Sequence, residues 1–333
     1  MDTWTNRNLG LARALAGRLH DWTLPLRAAL LLNPRAGTML ERPELLTQLP
    51  AALRQAGLDI TEIGDEAGKD LTAKLDAALA LHPDVLVVGG GDGTVRSVAA
   101  RLAGGQVALA VLPLGTLNLL ARDLGMPMEP EEAARALGRA TLRAIDMAEV
   151  NGEVFLCQSV IGLPNRMGLH REKVRGRDGL ASRWRVALAF ARALWRYPPK
   201  RMGLRCDGAP MQRIWTRALS IVNNRYVEAP GRLFHRPRLD EGVLNLHAAR
   251  GFGVWWAVRL LAAMAMGRWR RHEDLLSREA TALEIVSRSR HVRVMNDGEA
   301  MLLETPLRYV IRPGALRVLA PAPQADGRRE DAA

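Results

Sequence analysis

Six residues between positions 89 and 94 have the composition of a phosphate-binding turn. They read Gly-Gly-Gly-Asp-Gly-Thr, follow an apolar run at 84–88 and precede a helical pattern at 94–102. Glycines let backbone N–H groups approach a phosphate closely, and a helix N-terminus adds partial positive charge. A ligand-free turn between a strand and a helix could use the same glycines. The acid and the hydroxyl within the segment favour phosphate binding.

Two further loops stand in the same position after predicted strands. Residues 33–38, Asn-Pro-Arg-Ala-Gly-Thr, follow an apolar run, and residues 113–118, Pro-Leu-Gly-Thr-Leu-Asn, follow another. Ligands of open α/β sheets bind at the carboxyl ends of the strands, so we expect all three loops to line one crevice. Neither a Walker A nor a Rossmann glycine pattern occurs in the chain.

A carboxylate near the end of the chain could take a proton. Asp297 lies in Asn296-Asp297-Gly298-Glu299, and Asp-Gly dipeptides also form tight hairpin turns for purely structural reasons. In phosphoryl transfer, an acceptor hydroxyl needs a base for its proton. A turn can present such a base, so the two interpretations are compatible.

The predicted secondary structure that must position these residues changes near residue 145. Before it, apolar strands alternate with helices, which predicts a parallel sheet covered on both faces. After it, strand patterns dominate, at 154–161, 201–207, 214–223, 243–249, 282–286 and 291–296, with helical patterns at 182–197 and 254–269. We predict four segments: an amphipathic extension (1–23), a nucleotide-binding α/β domain (24–145), a mainly β domain (146–320) and a disordered tail (321–333).

Net charge and composition indicate which classes of partner the protein can bind. The 47 Lys and Arg residues against 35 Asp and Glu give a net charge of +12, which suits phospholipid headgroups, nucleic acid or a phosphorylated substrate. Because no nucleic-acid recognition motif appears and the basic residues are dispersed, nucleic acid is the least favoured partner. The chain has no apolar run long enough for a transmembrane helix, and its two cysteines fit a reducing cytosol. We expect a cytoplasmic protein that associates peripherally with membranes.

Together these motifs resemble those of the bacterial diacylglycerol-kinase-like lipid kinases, which are related to sphingosine kinases and distantly to NAD kinases. The resemblance runs from about residue 27 to 320. Its carriers are Gly-Gly-Asp-Gly-Thr (90–94), Pro-x-Gly-Thr-x-Asn (113–118) followed by Ala121 and Arg122, Asn-Pro-x-x-Gly (33–37) and Asp-Gly-Glu (297–299). The first motif alone is shared with NAD kinases, whereas the combination indicates a lipid kinase.

The resemblance implies a two-domain NAD kinase/diacylglycerol kinase-like architecture, with an α/β domain and a β-sandwich-like domain. It implies a kinase that uses ATP and Mg²⁺ to phosphorylate a lipid hydroxyl, with Asp297 as general base, Glu299 beside it and Asp92 near the Mg²⁺. Diacylglycerol or a related lipid is the expected acceptor, an anionic membrane surface the expected partner, and a homodimer occurs in some members. The implied nucleotide contacts are Asn33, Gly90, Gly91, Asp92, Gly93, Thr94, Gly115, Thr116 and Asn118.

Three positions depart from the family pattern. Ala36 stands where many members have Ser. Ser97 stands where many members have Glu, and residues 240–245, Asp-Glu-Gly-Val-Leu-Asn, stand where the family often has Asp-Asp-Gly-x-Leu-Asp near a structural Mg²⁺ site. Glu241 could still bind that metal with carbonyl groups near Arg238 and Val243. Two alternatives stay open: a soluble NAD kinase-like enzyme, and a non-catalytic regulator that binds nucleotide or phospholipid. Retention of Asp92 and Asp297 favours an enzyme.

Overall fold

The computed structural model describes residues 25–64, 70–162, 199–227, 235–249, 259 and 275–322. The chain forms two compact units, one containing residues up to Ile145 and from Ala315 onward, the other spanning Asp146–Gly314. The amphipathic extension and the predicted helix at 182–197 lie outside the described residues, as does the predicted helix at 254–269 apart from Arg259. Among the described residues, no helix combines the length and hydropathy needed to cross a bilayer.

The first unit contains a parallel sheet with the strand order β2-β1-β3-β4. Its central strands are apolar because both faces are covered, and every residue of β3 and β4 is buried. The strands are β1 (Leu26–Leu32), β2 (Leu58–Glu62), β3 (Val85–Gly90) and β4 (Ala108–Pro113). The helices are α1 (Gly37–Glu41), α2 (Leu45–Gln55), α3 (Leu71–Ala80), α4 (Asp92–Leu102), α5 (Leu119–Asp123) and α6 (Pro130–Ala136), with a 3₁₀ turn at Leu137–Arg139.

The last strand of the chain completes this sheet. Strand β16 (Leu307–Ala320) ends beside β4, with Val318 opposite Leu109 in parallel register. The backbone N–H of Gly104 also donates to the carbonyl of Ala315 at 2.7 Å. Sequence analysis assigned residues 146–320 to the second domain, whereas the chain returns to the first unit at Ala315. The pairing joins residues about 200 positions apart, and no local pattern encodes it.

The second unit is built from antiparallel strands. One sheet has six strands in the order β12-β11-β10-β7-β14-β15, and the first part of β16 begins a second series, β16-β13-β8-β9, with β5 and β6 beside it. The strands are β5 (Thr141–Val150), β6 (Glu153–Phe155), β7 (Gln158–Gly162), β8 (Lys200–Cys206), β9 (Gln212–Thr216), β10 (Ala218–Asn223), β11 (Leu244–Ala249), β12 (Leu275–Ala280), β13 (Ala282–Ser287), β14 (His291–Asn296) and β15 (Glu299–Glu304).

Apolar side chains from both sheets form one core in this unit. Ile221 and Leu246 come from the six-stranded sheet, and Leu204 and Ile285 come from the other. Two segments predicted as single strands are each divided in two. Residues 154–161 form β6 and β7, and residues 214–223 form the end of β9 and all of β10, which lie in different sheets. The first division is made by the side chain of Asp297, as described below.

Candidate functional site

The three loops predicted to bind phosphate lie at the carboxyl ends of β1, β3 and β4, which are neighbours in the sheet. Asn33 joins the first loop to the second. Its backbone N–H donates to the carbonyl of Gly89 at 2.8 Å, and its side-chain Nδ2 donates to Oγ1 of Thr94 at 3.2 Å. The N–H of Thr38 donates to the carbonyl of Leu114 at 3.2 Å, which joins the first loop to the third.

Asp92 joins the glycine loop to the third loop. One carboxylate oxygen accepts the backbone N–H of Asn118 at 3.0 Å, and the other accepts that of Leu119 at 2.6 Å. These N–H groups belong to the start of α5, where a helix leaves donors without intrahelical partners. Asn118 adopts a left-handed backbone (φ 49°), and its side chain exchanges hydrogen bonds with both backbone groups of Gly115, at 2.8 and 2.9 Å.

Side chains at three of these glycines would come too close to neighbouring atoms. A Cβ atom on Gly115 would lie 2.5 Å from the Cα of Gly91, and one on Gly89 would lie 2.5 Å from a methyl of Leu32. A Cβ atom on Gly90 would lie 2.9 Å from the Cβ of Thr94. Real Cβ atoms essentially never come this close to other heavy atoms. The glycine pattern thus has a packing cause in addition to the phosphate approach inferred from the sequence.

The predicted nucleotide-binding residues therefore fall within one hydrogen-bonded junction, which we call the three-loop junction (residues 33–38, 89–94 and 113–118). The N-terminus of α4 opens from it, and α-helices present their first N–H groups and a partial positive charge to anions. Arg122 uses its Nε to donate to the carbonyl of Leu117 at 2.9 Å. Ser97 donates to the carbonyl of Gly93 at 3.0 Å, within its own helix.

We expect Asp92→Ala to loosen the third loop. Two backbone N–H groups would lose a charged acceptor, which costs about 1.5–3 kcal/mol for each hydrogen bond to a charged group before relaxation. ATP binding should weaken roughly tenfold or more, equivalent to about 1.4 kcal/mol. Isothermal titration and thermal unfolding would measure the two effects.

Asp70→Ala provides the matched control for this variant. Asp70 caps α3 by accepting the N–H of Ala73 at 2.6 Å and lies outside the three-loop junction. Its loss should cost about 0.5–2 kcal/mol of stability and leave ATP affinity unchanged. Equal losses of ATP affinity in both variants would contradict a specific role for Asp92.

In the second unit, Asp297 is buried at the turn between β14 and β15, with 4% of its surface exposed. Its carboxylate accepts three consecutive backbone N–H groups, from Leu156 at 2.6 Å and from Cys157 and Gln158 at 2.9 Å. These contacts divide the predicted strand 154–161, because the segment between β6 and β7 gives its N–H groups to a side chain. A carboxylate has about four acceptor positions, and the three N–H groups take three of them.

The surroundings of Asp297 shift the pKa of its carboxyl group in opposite directions. Burial raises the pKa of its carboxyl above the ordinary value, while the three N–H donors and the positive charge of Arg236 lower the pKa. The effect of burial is the largest, so the group binds a proton more readily than an exposed aspartate. Such a shift suits a residue that must accept a proton.

Arg236 holds the same segment from its other side. Arg236 is 1% exposed, and its Nη1 donates to the carbonyls of Leu156 at 2.8 Å and Asn223 at 2.7 Å. Its Nη2 donates to the Sγ of Cys157 at 3.0 Å. The Nδ2 of Asn223 adds a hydrogen bond to the carbonyl of Leu156 at 2.9 Å. Sequence reasoning missed both residues, because a single arginine or asparagine in this chain carries no distinguishing pattern.

Two other hairpin turns show what is particular about Asp297. Asn151-Gly152 and Asp207-Gly208 have the same pair of positive φ angles as Asp297-Gly298, as expected for turns that favour these residues. Asp207 also accepts several hydrogen bonds, among them those from the N–H groups of Thr281 and Ala282 at 2.9 Å, but it is exposed. Of the three turn residues, only Asp297 is buried. The turn conformation alone therefore does not explain the burial of Asp297.

The remaining predicted site residues are placed as follows. Glu299 is the first residue of β15, where it pairs with Asn296 of β14, and it is exposed. Glu241 accepts the backbone N–H of Arg225 and forms an ion pair with the guanidinium of the same residue. Within the described ranges, no group of three or more His, Cys, Asp or Glu side chains is arranged to hold a metal ion.

Comparisons with known proteins agree for both units. Residues 27–150 match the family model of the diacylglycerol kinase catalytic domain. Residues 170–320 match that of the YegS C-terminal NAD kinase beta sandwich-like domain. A protein of Pseudomonas aeruginosa named probable lipid kinase YegS-like is 33% identical over 277 residues, which cover 82% of this chain and 88% of that protein.

More distant relatives extend this pattern. The diacylglycerol kinase of Bacillus subtilis is 32% identical over 133 residues, 39% of this chain and 44% of that enzyme. Among solved structures, a putative diacylglycerol kinase from Bacillus anthracis superposes with a TM-score of 0.67 at 21% identity. The match covers 90% of this chain and 98% of that one. At that identity the structural match supports the fold alone.

Proposed function

Because this chain belongs to the family of YegS-like lipid kinases, which carry a diacylglycerol kinase catalytic domain, we propose that it phosphorylates the free hydroxyl of diacylglycerol or a closely related glycerolipid. The chain is an ATP-dependent lipid kinase. The choice of a glycerolipid acceptor rests on the diacylglycerol kinase catalytic-domain match. The observation that carries phosphate binding is the three-loop junction, where the glycine loop, Asn33 and Asn118 are hydrogen-bonded at one edge of a parallel sheet.

In this proposal the three-loop junction binds the phosphates of ATP. Phosphoryl transfer depends mostly on positioning and on stabilisation of negative charge, and backbone N–H groups at the start of α4 suit that purpose. Mg²⁺ is usually held by substrate phosphates with one or two carboxylates. Of the three loops, only the glycine loop carries a carboxylate, Asp92. We therefore place the Mg²⁺ of ATP near Asp92, which at the same time holds the third loop.

Asp297 is proposed as the base for the acceptor hydroxyl. The three N–H groups fix the orientation of its carboxylate, and the remaining acceptor position would take the substrate proton. General base catalysis of this kind typically contributes about 10²–10⁴ in rate. Arg236 and Asn223 are positioning residues in this scheme, because they hold the segment that orients Asp297 and contact no reacting atom.

The lipid acceptor also implies a surface on which the enzyme meets it. We propose peripheral binding to anionic membranes, supported by the net charge of +12 and by the attraction of basic residues to anionic headgroups. The helical patterns predicted at 182–197 and 254–269 contain tryptophan and arginine, a combination that suits the headgroup region of a membrane. Apart from Arg259, they lie outside the described residues. A homodimer stays an expectation from the family resemblance.

A phosphotransfer assay with a panel of acceptors would test the function. Purified protein would be incubated with labelled ATP, Mg²⁺ and mixed micelles containing diacylglycerol, a monoacylglycerol, a sphingoid base or a prenol, and in a separate arm with NAD. We expect label in the organic phase with the glycerolipids and none in NADP. Label in another lipid alone would change the proposed substrate, and label in NADP alone would support the NAD kinase-like alternative. Bound ATP without label in any acceptor would support a regulator.

A further inference from the structure

The loop that carries Glu241 is fixed by a positively charged side chain. Oε1 of Glu241 lies 3.3 Å from Nη1 of Arg225, and Oε2 accepts the backbone N–H of the same residue at 3.2 Å. Both carboxylate oxygens are therefore engaged by Arg225. The side chain of Glu241 is 15% exposed and that of Arg225 is 39% exposed, so water screens the pair from the side of Arg225.

Arg225 binds a second carboxylate with its remaining nitrogen atoms. Its Nε and Nη2 donate to the two carboxylate oxygens of Glu279 at 2.7 and 2.6 Å, a bidentate geometry that is among the stronger ion-pair arrangements. The two acids raise the pKa of Arg225 further above its already high ordinary value. A permanently charged guanidinium thus stands between Glu241 of the loop and Glu279 of β12.

A second group expected around a metal at this position is also engaged. The carbonyl of Val243, one of the predicted ligands, accepts the backbone N–H of Asn224 at 2.9 Å. Asp240 pairs with Arg238 at 3.2 Å. Mg²⁺ needs oxygen ligands at about 2.0–2.1 Å in near-octahedral geometry. An ion that close to Glu241 would face the positive charge of Arg225 and would have to displace it.

We infer that Arg225 is a built-in cation that replaces the divalent metal at the 240–243 loop of this chain. The replacement explains how Glu, with its longer side chain, serves at a position where the family often has Asp. A carboxylate with one more methylene can reach a guanidinium on a neighbouring segment, and the planar fork of Arg suits two carboxylates at once. The inference concerns the second unit alone and does not depend on which lipid is phosphorylated.

The contacts next to Arg225 give this cation a positioning role. Asn224 accepts the N–H of Glu241 with its side-chain oxygen at 3.1 Å. Asn223, the preceding residue, binds Leu156 through its side chain and Arg236 through its carbonyl. Leu156 in turn donates its N–H to Asp297. Three consecutive residues, 223–225, therefore connect the ion pair to the segment that orients the proposed base.

Thermal unfolding without nucleotide, in EDTA and in a series of Mg²⁺ concentrations, tests this inference. A ligand that binds only the folded state raises Tm. Because we infer that the wild-type protein has no metal site at this loop, its Tm should be the same in EDTA and at every Mg²⁺ concentration. Arg225→Gln leaves Glu241 and Glu279 without their shared cation. We expect it to lower Tm in EDTA by roughly 2–6 °C, and we expect Mg²⁺ or Ca²⁺ to restore part of that loss.

Two further variants make the result specific. Arg225→Gln combined with Glu241→Gln should lose the metal rescue, because the created site then lacks one carboxylate. Arg290→Gln removes an exposed pair with Glu304 at 3.0 Å and should show neither the destabilisation nor the rescue. A wild-type protein whose Tm rises with Mg²⁺, with the rise abolished in Glu241→Gln, would overturn the inference. An Arg225→Gln variant with wild-type Tm in EDTA would also overturn it. Should that variant fail to fold, calorimetric Mg²⁺ titration of wild type and Glu241→Gln decides alone.

Discussion

Asp297→Asn should reduce lipid phosphorylation by about 10²–10⁴-fold while leaving ATP binding intact. An amide cannot accept the proton of the acceptor hydroxyl, and the predicted ATP-binding loops belong to the other unit. The substitution also places an NH₂ group against backbone N–H groups of residues 156–158, so some loss of stability is expected. Turnover should be measured at a temperature well below the Tm of the variant, with ATP affinity measured separately.

Asp207→Asn is the control that separates loss of activity caused by a disturbed turn from loss of the proposed base. Asp207 has the same turn geometry, with φ 45° against 49° for Asp297, and its Oδ1 also accepts backbone N–H groups. Because Asp207 is exposed, its substitution should change activity by no more than about twofold. If Asp297→Asn retains activity while Asp207→Asn behaves as expected, Asp297 is a structural turn residue and the base must be sought elsewhere.

Gly115→Ala should lower kcat/KM for ATP by about 10²-fold, since a misplacement of about 1 Å can have that effect. The added methyl would lie 2.5 Å from the Cα of Gly91, and the backbone of one loop must move to accommodate it. Overpacking of this kind costs about 1–3 kcal/mol, so Tm should also fall. Initial rates at a series of ATP concentrations would give kcat/KM, and thermal unfolding of the same preparation would give Tm.

The facing glycine supplies a matched comparison. A Cβ atom on Gly91 would lie 3.7 Å from the Cα of Gly115, an ordinary van der Waals contact. Gly91→Ala should therefore keep wild-type stability, and any loss of ATP affinity in it would report directly on the approach of phosphate to the glycine loop. Wild-type Tm and ATP affinity in Gly115→Ala would contradict the close packing of the two loops.

Much of the first unit could be predicted from the sequence because its signals are local. The apolar run 26–32 is a strand with those bounds, and the motifs around Asn33, Asp92 and Asn118 follow strands that become neighbours. The family, the fold class and the lipid-kinase activity predicted from these motifs are confirmed. The contact of Asp92 with the start of α5 was not predicted, because the motif fixes the residue type and leaves its partner open.

The second unit was less predictable because its site depends on long-range pairing. Asp297 and Leu156 are 141 residues apart, and a strand pattern continues through residues 156 and 157 although their N–H groups turn to a carboxylate. Arg225 likewise meets Glu279 across 54 residues. Strand periodicity describes which side chains are buried and carries no information on which distant side chain accepts a backbone hydrogen bond.

The position of β16 has a consequence for how the chain is made. During translation the α/β part of the sequence is synthesised long before Val318. The edge of β4 therefore has no partner strand on that side until β16 has been made. Exposed strand edges invite pairing with other chains. A fragment that stops at residue 150, where the catalytic-domain match ends, would keep that edge open permanently. Expression of the first unit alone therefore calls for residues 315–320 to be grafted back beside β4.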